Sequence, residues 1–151
     1  MKDRYMLKTA EAVKIYETVK DLPIIDYHCH LSPKEIYEDK PFENIAEMWL
    51  AGDHYKWRLM RTAGIDEYYI TGGASWREKF LSYAKALEYA AGNPLYHWSH
   101  MELSQIFGID DTLTAENADK IYDRANEYIK KNNLSPRMLI KQSGVEALCT
   151  T

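Results

Sequence analysis

Long apolar runs are missing from this sequence. The stretch Leu22–Ile25 falls far short of the roughly 20 residues that a membrane span needs, and "MKDRYMLKTAEAVKIYETVK" before it is charged throughout. No signal-peptide core and no membrane anchor are therefore expected, and the chain is read as cytoplasmic. A surplus of positive charge is also missing: 19 Lys and Arg are scattered among 23 Asp and Glu, for a net charge of -4. Nothing in that balance attracts nucleic-acid phosphates or anionic lipid over a distance. Cysteine is limited to Cys29 and Cys149, with no CxxC pair. Both fall in predicted strands, which suits reduced thiols with a packing role better than a disulfide framework or a zinc knuckle. No glycine-rich phosphate loop occurs, and no serine sits in a nucleophile elbow. Repeats and low-complexity segments are absent as well.

What remains is the composition of a folded domain, 151 residues with 46% hydrophobic and 28% charged side chains. Five of the seven glycines (Gly64, Gly73, Gly92, Gly108 and Gly144) stand where a helical pattern runs out, the place for a left-handed C-terminal cap. Ser32-Pro33 with Glu35 and Ser75 with Glu78 read as capping boxes, and Ser135-Pro136 as a third helix start. Between these marks the apolar spacing is helical. Ala118, Ile121, Tyr122, Ala125, Tyr128 and Ile129 form one stripe, and Trp76, Phe80, Tyr83, Ala84 and Leu87 another, both read as core. Helices are expected at about 9–20, 42–50, 54–63, 75–91, 95–107, 114–132 and 135–143.

Only "PIIDYHC" at 23–29 and "VEALCTT" at 145–151 read as buried strands. A plain crossover between parallel strands needs about 30 residues, so a helical subdomain is expected between these two, at 32–144, with 1–31 and 145–151 carrying the strands. Two strands alone cannot make a stable sheet. The expected fold class is therefore α/β: the first two strands of a distorted (β/α)8 TIM barrel, with a long, mostly helical insertion between them. A whole barrel takes roughly 250 residues, so the barrel in this chain is incomplete.

Three segments carry candidate chemistry. In a strand, Asp26, His28 and His30 share one face, so the two imidazoles of "DYHCH" converge at the strand's C-terminal end, where barrel active sites are built and where a divalent metal would find two neutral nitrogen ligands. HxH pairs also arise as hydrogen-bonded strand-end residues. The segment "DHYKWRLMRTAGI" places His54, Tyr55, Lys56, Arg58 and Arg61 within two helical turns. Cations around a phenol favour its ionised form, and arginine can grip a carboxylate in bidentate fashion. The competing reading of that segment is an amphipathic helix with Trp57 and Met60 inward and its basic residues solvated. The third, "NPLYHWSHMEL", sets His97 and His100 on one helical face, but no carboxylate or cysteine nearby completes a ligand set, and a packed aromatic helix fits better.

Taken together, "DYHCHLSP", "HYKWRLMRTAGI", "NPLYHWSHMELSQIFGI" and "GVEALCTT" resemble the N-terminal region of the uronate (glucuronate) isomerase family, within the amidohydrolase superfamily. The resemblance covers essentially the whole chain. It implies a divalent metal, zinc (Zn2+), held in part by His28 and His30. It also implies aldose–ketose interconversion of D-glucuronate with D-fructuronate and of D-galacturonate with D-tagaturonate. His54 and Tyr55 match the residues that reach the substrate, with Arg58 beside them. Tyr55 is then a candidate acid–base for proton transfer between C1 and C2, and His54 a shuttle or an orienting group. The expected partners are a small-molecule hexuronate and, at full length, further copies of the chain in a homo-oligomer. Two alternatives stand beside this reading: a metal-dependent hydrolase of the same superfamily, and a non-catalytic helical interaction module whose histidines are satisfied core residues.

Overall fold

A computed structural model describes residues 7–151. They form two compact units, one running from Phe42 to Asn132 and the other made of the residues up to Pro41 together with Asn133–Thr151.

The second unit holds the sheet. Its elements are α1 (Ala10–Val19), β1 (Ile24–Cys29), α2 (Pro33–Glu38), α8 (Pro136–Gln142) and β2 (Val145–Thr150). The strands pair in parallel, with Ile24 opposite Val145 and Cys29 opposite Thr150, and the register shifts twice between these ends. The sequence predicts both strands within a residue or two, but it predicts them buried. Here Ile25 is 70% and Tyr27 86% exposed. A parallel pair is buried only when other elements cover both faces, and among the described residues no third strand joins this sheet. The packing role expected of the cysteines shifts with it, since Cys149 is exposed and Cys29 half-buried; both are free thiols.

Helix α2 stands outside the expected set, although its start was legible. Ser32 caps it through the Glu35 N–H and Pro33 takes the first turn. It ends at Asp39 in the left-handed region, where Arg137 of α8 closes the turn: its backbone N–H donates to Asp39 Oδ1 (2.9 Å), its Nε to the Ile36 carbonyl (2.7 Å) and its Nη2 to the Tyr37 carbonyl (2.8 Å). The guanidinium thus takes up two carbonyls that the helix end leaves without partners. Helices α2 and α8 contact each other and belong to the unit that holds the strands.

The helical unit contains α3 (Ile45–Leu50), α4 (His54–Thr62), a 3-10 turn (Glu67–Tyr69), α5 (Trp76–Leu87), α6 (Pro94–Phe107) and α7 (Ala118–Asn132). Both predicted stripes face the core. Phe80, Tyr83, Ala84 and Leu87 of α5 are fully buried, as are Ala118, Ile121, Ala125 and Ile129 of α7 to within 1%. Trp49 of α3 meets the rings of Phe80 and Tyr83 at 5.9 Å, and Phe80 meets Tyr122 of α7 at 5.4 Å in tilted contact. Ser75 and Glu78 close a capping box in both directions. The two largest boundary differences, at the end of α5 and the start of α7, have local causes. Helix α5 stops at Leu87, because the next amides, Tyr89 and Ala90, bond three residues back and tighten the chain into a turn. Helix α7 starts at Ala118, because Thr114 and Asn117 exchange side-chain-to-backbone bonds and hold a turn before it. Four of the five predicted glycine caps have positive φ, as at Gly108 after α6 (φ 64°), but Gly73 does not. The glycine that this loop requires is Gly72: a Cβ there would lie 2.6 Å from the Tyr68 Cα and 2.8 Å from its carbonyl oxygen.

Candidate functional site

The site residues read from the sequence fall on two separate elements, one in each unit. At the end of β1, His28 and the adjoining His30 bring their Nε2 atoms to 3.1 Å, with the rings edge to face at 5.1 Å between centroids. Strand alternation sets this pairing, and the Asp26 carboxylate steadies it by accepting the His28 backbone N–H (3.3 Å). Both rings are exposed. The convergence expected of the HxH motif is therefore present. Among the described residues, no third His, Cys, Asp or Glu joins it in a group that could hold a metal.

In the helical unit, α4 presents His54, Tyr55 and Arg58 to solvent. The His54 ring stands edge-on to Trp57 (5.6 Å), and Trp57 is fixed in turn by its Nε1–H donating to the Leu50 carbonyl (2.7 Å). Tyr55 is 59% exposed, and the Arg58 guanidinium carbon lies 5.8 Å from the centre of its ring. The wider cluster of cations expected around this phenol does not form. Arg61 is engaged by both carboxylate oxygens of Glu67 (2.8 and 2.6 Å), and that pairing, with the Thr71 hydroxyl, draws the Glu67 carboxyl down to about 2. Lys56 is 8% exposed and points the other way, to Asp53 Oδ2 (2.9 Å) and the Trp49 ring (5.6 Å). Helical geometry decides this: Lys56 shares a face with buried Met60 four residues on, while Tyr55 shares one with Arg58 three residues on. The segment is thus an amphipathic helix with Met60 inward, as its alternative reading had it. One of its cations, however, is buried rather than solvated.

The sequence reading passed over Asp53, which is the N-cap of α4. Its Oδ1 accepts the N–H groups of Tyr55 (2.9 Å) and Lys56 (3.0 Å). Burial pushes the Asp53 carboxyl up, but the Lys56 ammonium and these amides outweigh it, and the carboxyl lies below its ordinary value. An Asp directly before a helical stripe is the signal that could have marked it. Glu102 of α6 and Tyr83 of α5 face the same charges, and burial raises both. Tyr83 shares a hydrogen bond with Ser99 (2.8 Å). The Trp49 indole N–H is directed at the Glu102 carboxyl but falls short of hydrogen-bond geometry.

The pair His97 and His100 has a structural explanation at His100. Its Nδ1 lies 2.6 Å from the Tyr96 carbonyl and its Nε2 accepts the buried Leu113 N–H at 2.9 Å. Both nitrogens are spent on backbone groups. The ring is therefore the tautomer protonated on Nδ1, and it is unsuited to a metal.

The sequence model of the family described as glucuronate isomerase matches residues 1–151, the whole chain. The chain belongs to the glucuronate isomerase family. It is 56% identical over 147 residues to the uronate isomerase of Streptococcus uberis, covering 97% of this chain and 32% of that protein, and 55% identical over 152 residues to that of Clostridium acetobutylicum, again covering 32% of it. The crystal structure of uronate isomerase from Thermotoga maritima superposes on 99% of this chain with a TM-score of 0.92 at 40% identity, using 33% of its own length. Glucuronate isomerase from Caulobacter crescentus superposes with a TM-score of 0.85 at 29% identity. The chain thus spans about a third of the length of the glucuronate isomerases it matches.

Proposed function

We propose that this chain supplies the first two strands and the inserted helical region of a distorted (β/α)8-barrel uronate isomerase. That enzyme interconverts D-glucuronate with D-fructuronate and D-galacturonate with D-tagaturonate. The whole-chain match to the glucuronate isomerase family carries the reading. The exposed apolar side chains of β1, Ile24, Ile25 and Tyr27, support it, because apolar strand faces of this kind are what further barrel strands and helices cover.

His28 and His30 supply two ligands of a divalent cation, zinc. Two imidazole nitrogens each about 2.0–2.1 Å from one tetrahedral zinc lie roughly 3.3 Å apart, and the 3.1 Å between these Nε2 atoms is close to that spacing. The remaining ligands come from the part of the enzyme that this chain does not span. When bound, the cation offers charge stabilisation to an oxygen of the sugar acid.

Shifting the carbonyl from C1 to C2 removes a proton from C2 of the aldose and returns one to C1 through an enediol, so a placed base and a polar surround are required. Tyr55 is exposed at the start of a capped helix; as the phenolate it would take the C2 proton, exchange it with solvent, and deliver a proton to C1. Arg58, stacked on the same ring, binds the substrate carboxylate. His54, held edge-on by Trp57, orients a sugar hydroxyl.

The test is carried out on full-length enzyme carrying these residues, in heavy water. Wild type should convert glucuronate to fructuronate with solvent deuterium entering the product. Tyr55→Phe should lose about 10²–10⁴-fold in kcat, and His28→Ala/His30→Ala should lose both bound zinc and turnover. Full activity in the double histidine variant, or no turnover of either uronate by wild type, would defeat the reading.

A further inference from the structure

We infer that Lys56 and Asp53 form a buried positioning pair that sets the first turn of α4, and with it the presentation of His54 and Tyr55; the inference rests on the isomerase reading above. One carboxylate serves two purposes. Asp53 Oδ1 holds the amides of Tyr55 (2.9 Å) and Lys56 (3.0 Å), while Oδ2 is held by the Lys56 ammonium at 2.9 Å. Lys56 is 8% exposed and lies 5.6 Å from the centre of the Trp49 ring, which is itself 3% exposed in contact with Phe80 and Tyr83. The end of α4 that carries the exposed His54 and Tyr55 is thereby tied to the core through Lys56, which meets Asp53 and the Trp49 ring together. A simple N-cap has no need of a buried cation. Capping alone is met by an Asp, Asn or Ser whose side chain faces solvent, and a lysine ammonium is taken out of water only against a paired charge.

The charged and titratable groups facing Asp53 are Lys56 from its own helix, Glu102 from α6 and Tyr83 from α5. Of these only Lys56 favours the ionised carboxylate; Glu102, when ionised, and burial itself oppose it. Without the Lys56 ammonium only the two backbone amides still oppose burial. Burial then raises the Asp53 carboxyl, the carboxylate takes up a proton at higher pH, and the turn beneath Tyr55 loosens.

The test uses full-length enzyme with uronate turnover as the assay and circular dichroism as a check on folding. Lys56→Met is expected to lower kcat about tenfold to a hundredfold with KM changed less than about threefold, because the pair places the reacting phenol and does not grip substrate. Its acid limb should move to higher pH. Lys56→Arg should restore both values in part, and Asp53→Asn/Lys56→Met should show no shifted limb, since the titrating group is gone. A folded Lys56→Met enzyme with wild-type kcat, KM and pH profile overturns the positioning role while leaving the isomerase reading intact. A wild type that turns over no uronate overturns both. Should Lys56→Met not fold, Asp53→Asn decides, because asparagine keeps the cap while losing the charge: a fall in kcat supports the pair and a wild-type kcat overturns it.

Discussion

Replacing His100 by Leu isolates what a buried imidazole contributes when it has no catalytic task. Leucine has a similar volume, so little cavity is left. Two backbone groups then lose their partner: the Leu113 N–H, in a residue 1% exposed, and the Tyr96 carbonyl. An orphaned buried donor costs about 1–3 kcal/mol, while the carbonyl retains a second route to a partner within its helix, so a loss of about 2 kcal/mol is expected. For a chain of this size that corresponds to roughly 4–8 °C in Tm. The pH dependence gives a second, independent reading. Burial lowers the His100 pKa, against the smaller opposing effect of the Tyr96 carbonyl, so the folded state binds a proton less readily than the unfolded one. Its contribution is complete above the unfolded value of about 6.5 and is lost as pH falls through the lower folded value. Urea unfolding at pH 7.5 and pH 5.5 should thus show wild type weakening on acidification more than His100→Leu does. Equal slopes in the two proteins, or a variant within about 0.5 kcal/mol of wild type at pH 7.5, would refute the assignment of His100 as a neutral two-bond strut.

Gly72→Ala should destabilise by about 1–3 kcal/mol in thermal melts, because its Cβ would press on the Tyr68 backbone, whereas Gly73→Ala, whose Cβ would meet only the Tyr68 ring at 3.6 Å, should be tolerated. Arg137→Lys cannot reach the Ile36 and Tyr37 carbonyls together; the Asp39 amide that closes α2 should then exchange with solvent about fivefold faster, as read by hydrogen-exchange NMR. The 151-residue chain expressed alone should bind an apolar-surface dye through Ile24, Ile25 and Tyr27, and full-length enzyme should bind far less; equal dye binding by the two would argue against a barrel covering this sheet.

Most of the helical unit is legible in the sequence, because the features that write a helix are local: an apolar stripe every three or four residues, a Ser or Asn before it, a glycine after it. The stripe from Ala118 to Ile129 and the Ser75–Glu78 box needed nothing beyond themselves. The strands were placed for the same reason, but their burial was not, since burial depends on what lies across the sheet and "PIIDYHC" carries no record of that. The 3-10 turn at Glu67–Tyr69 is capped by Asp66, but the close passage of Gly72 over Tyr68 is a contact that the sequence does not announce.

The HYKWR segment shows where the limit falls within a site. Composition puts three cations near Tyr55, and a count of charges cannot tell them apart. Position can: one cation lies three residues after Tyr55, on its own face, and another lies four residues before Met60, on the face that packs. Lys56 is not recognisable as a core residue from the sequence alone because a buried lysine is rare without a partner, and the partner, Asp53, is the N-cap that the sequence reading passed over. A lysine on the apolar face of a helix whose N-cap is Asp is therefore better read as half of a buried pair than as a solvated charge. By the same logic Glu102, on α6 between Met101 and Leu103, marks the same polar cluster from the other side. Charge placed on a packing face is informative because water cannot pay for it, so another side chain has to.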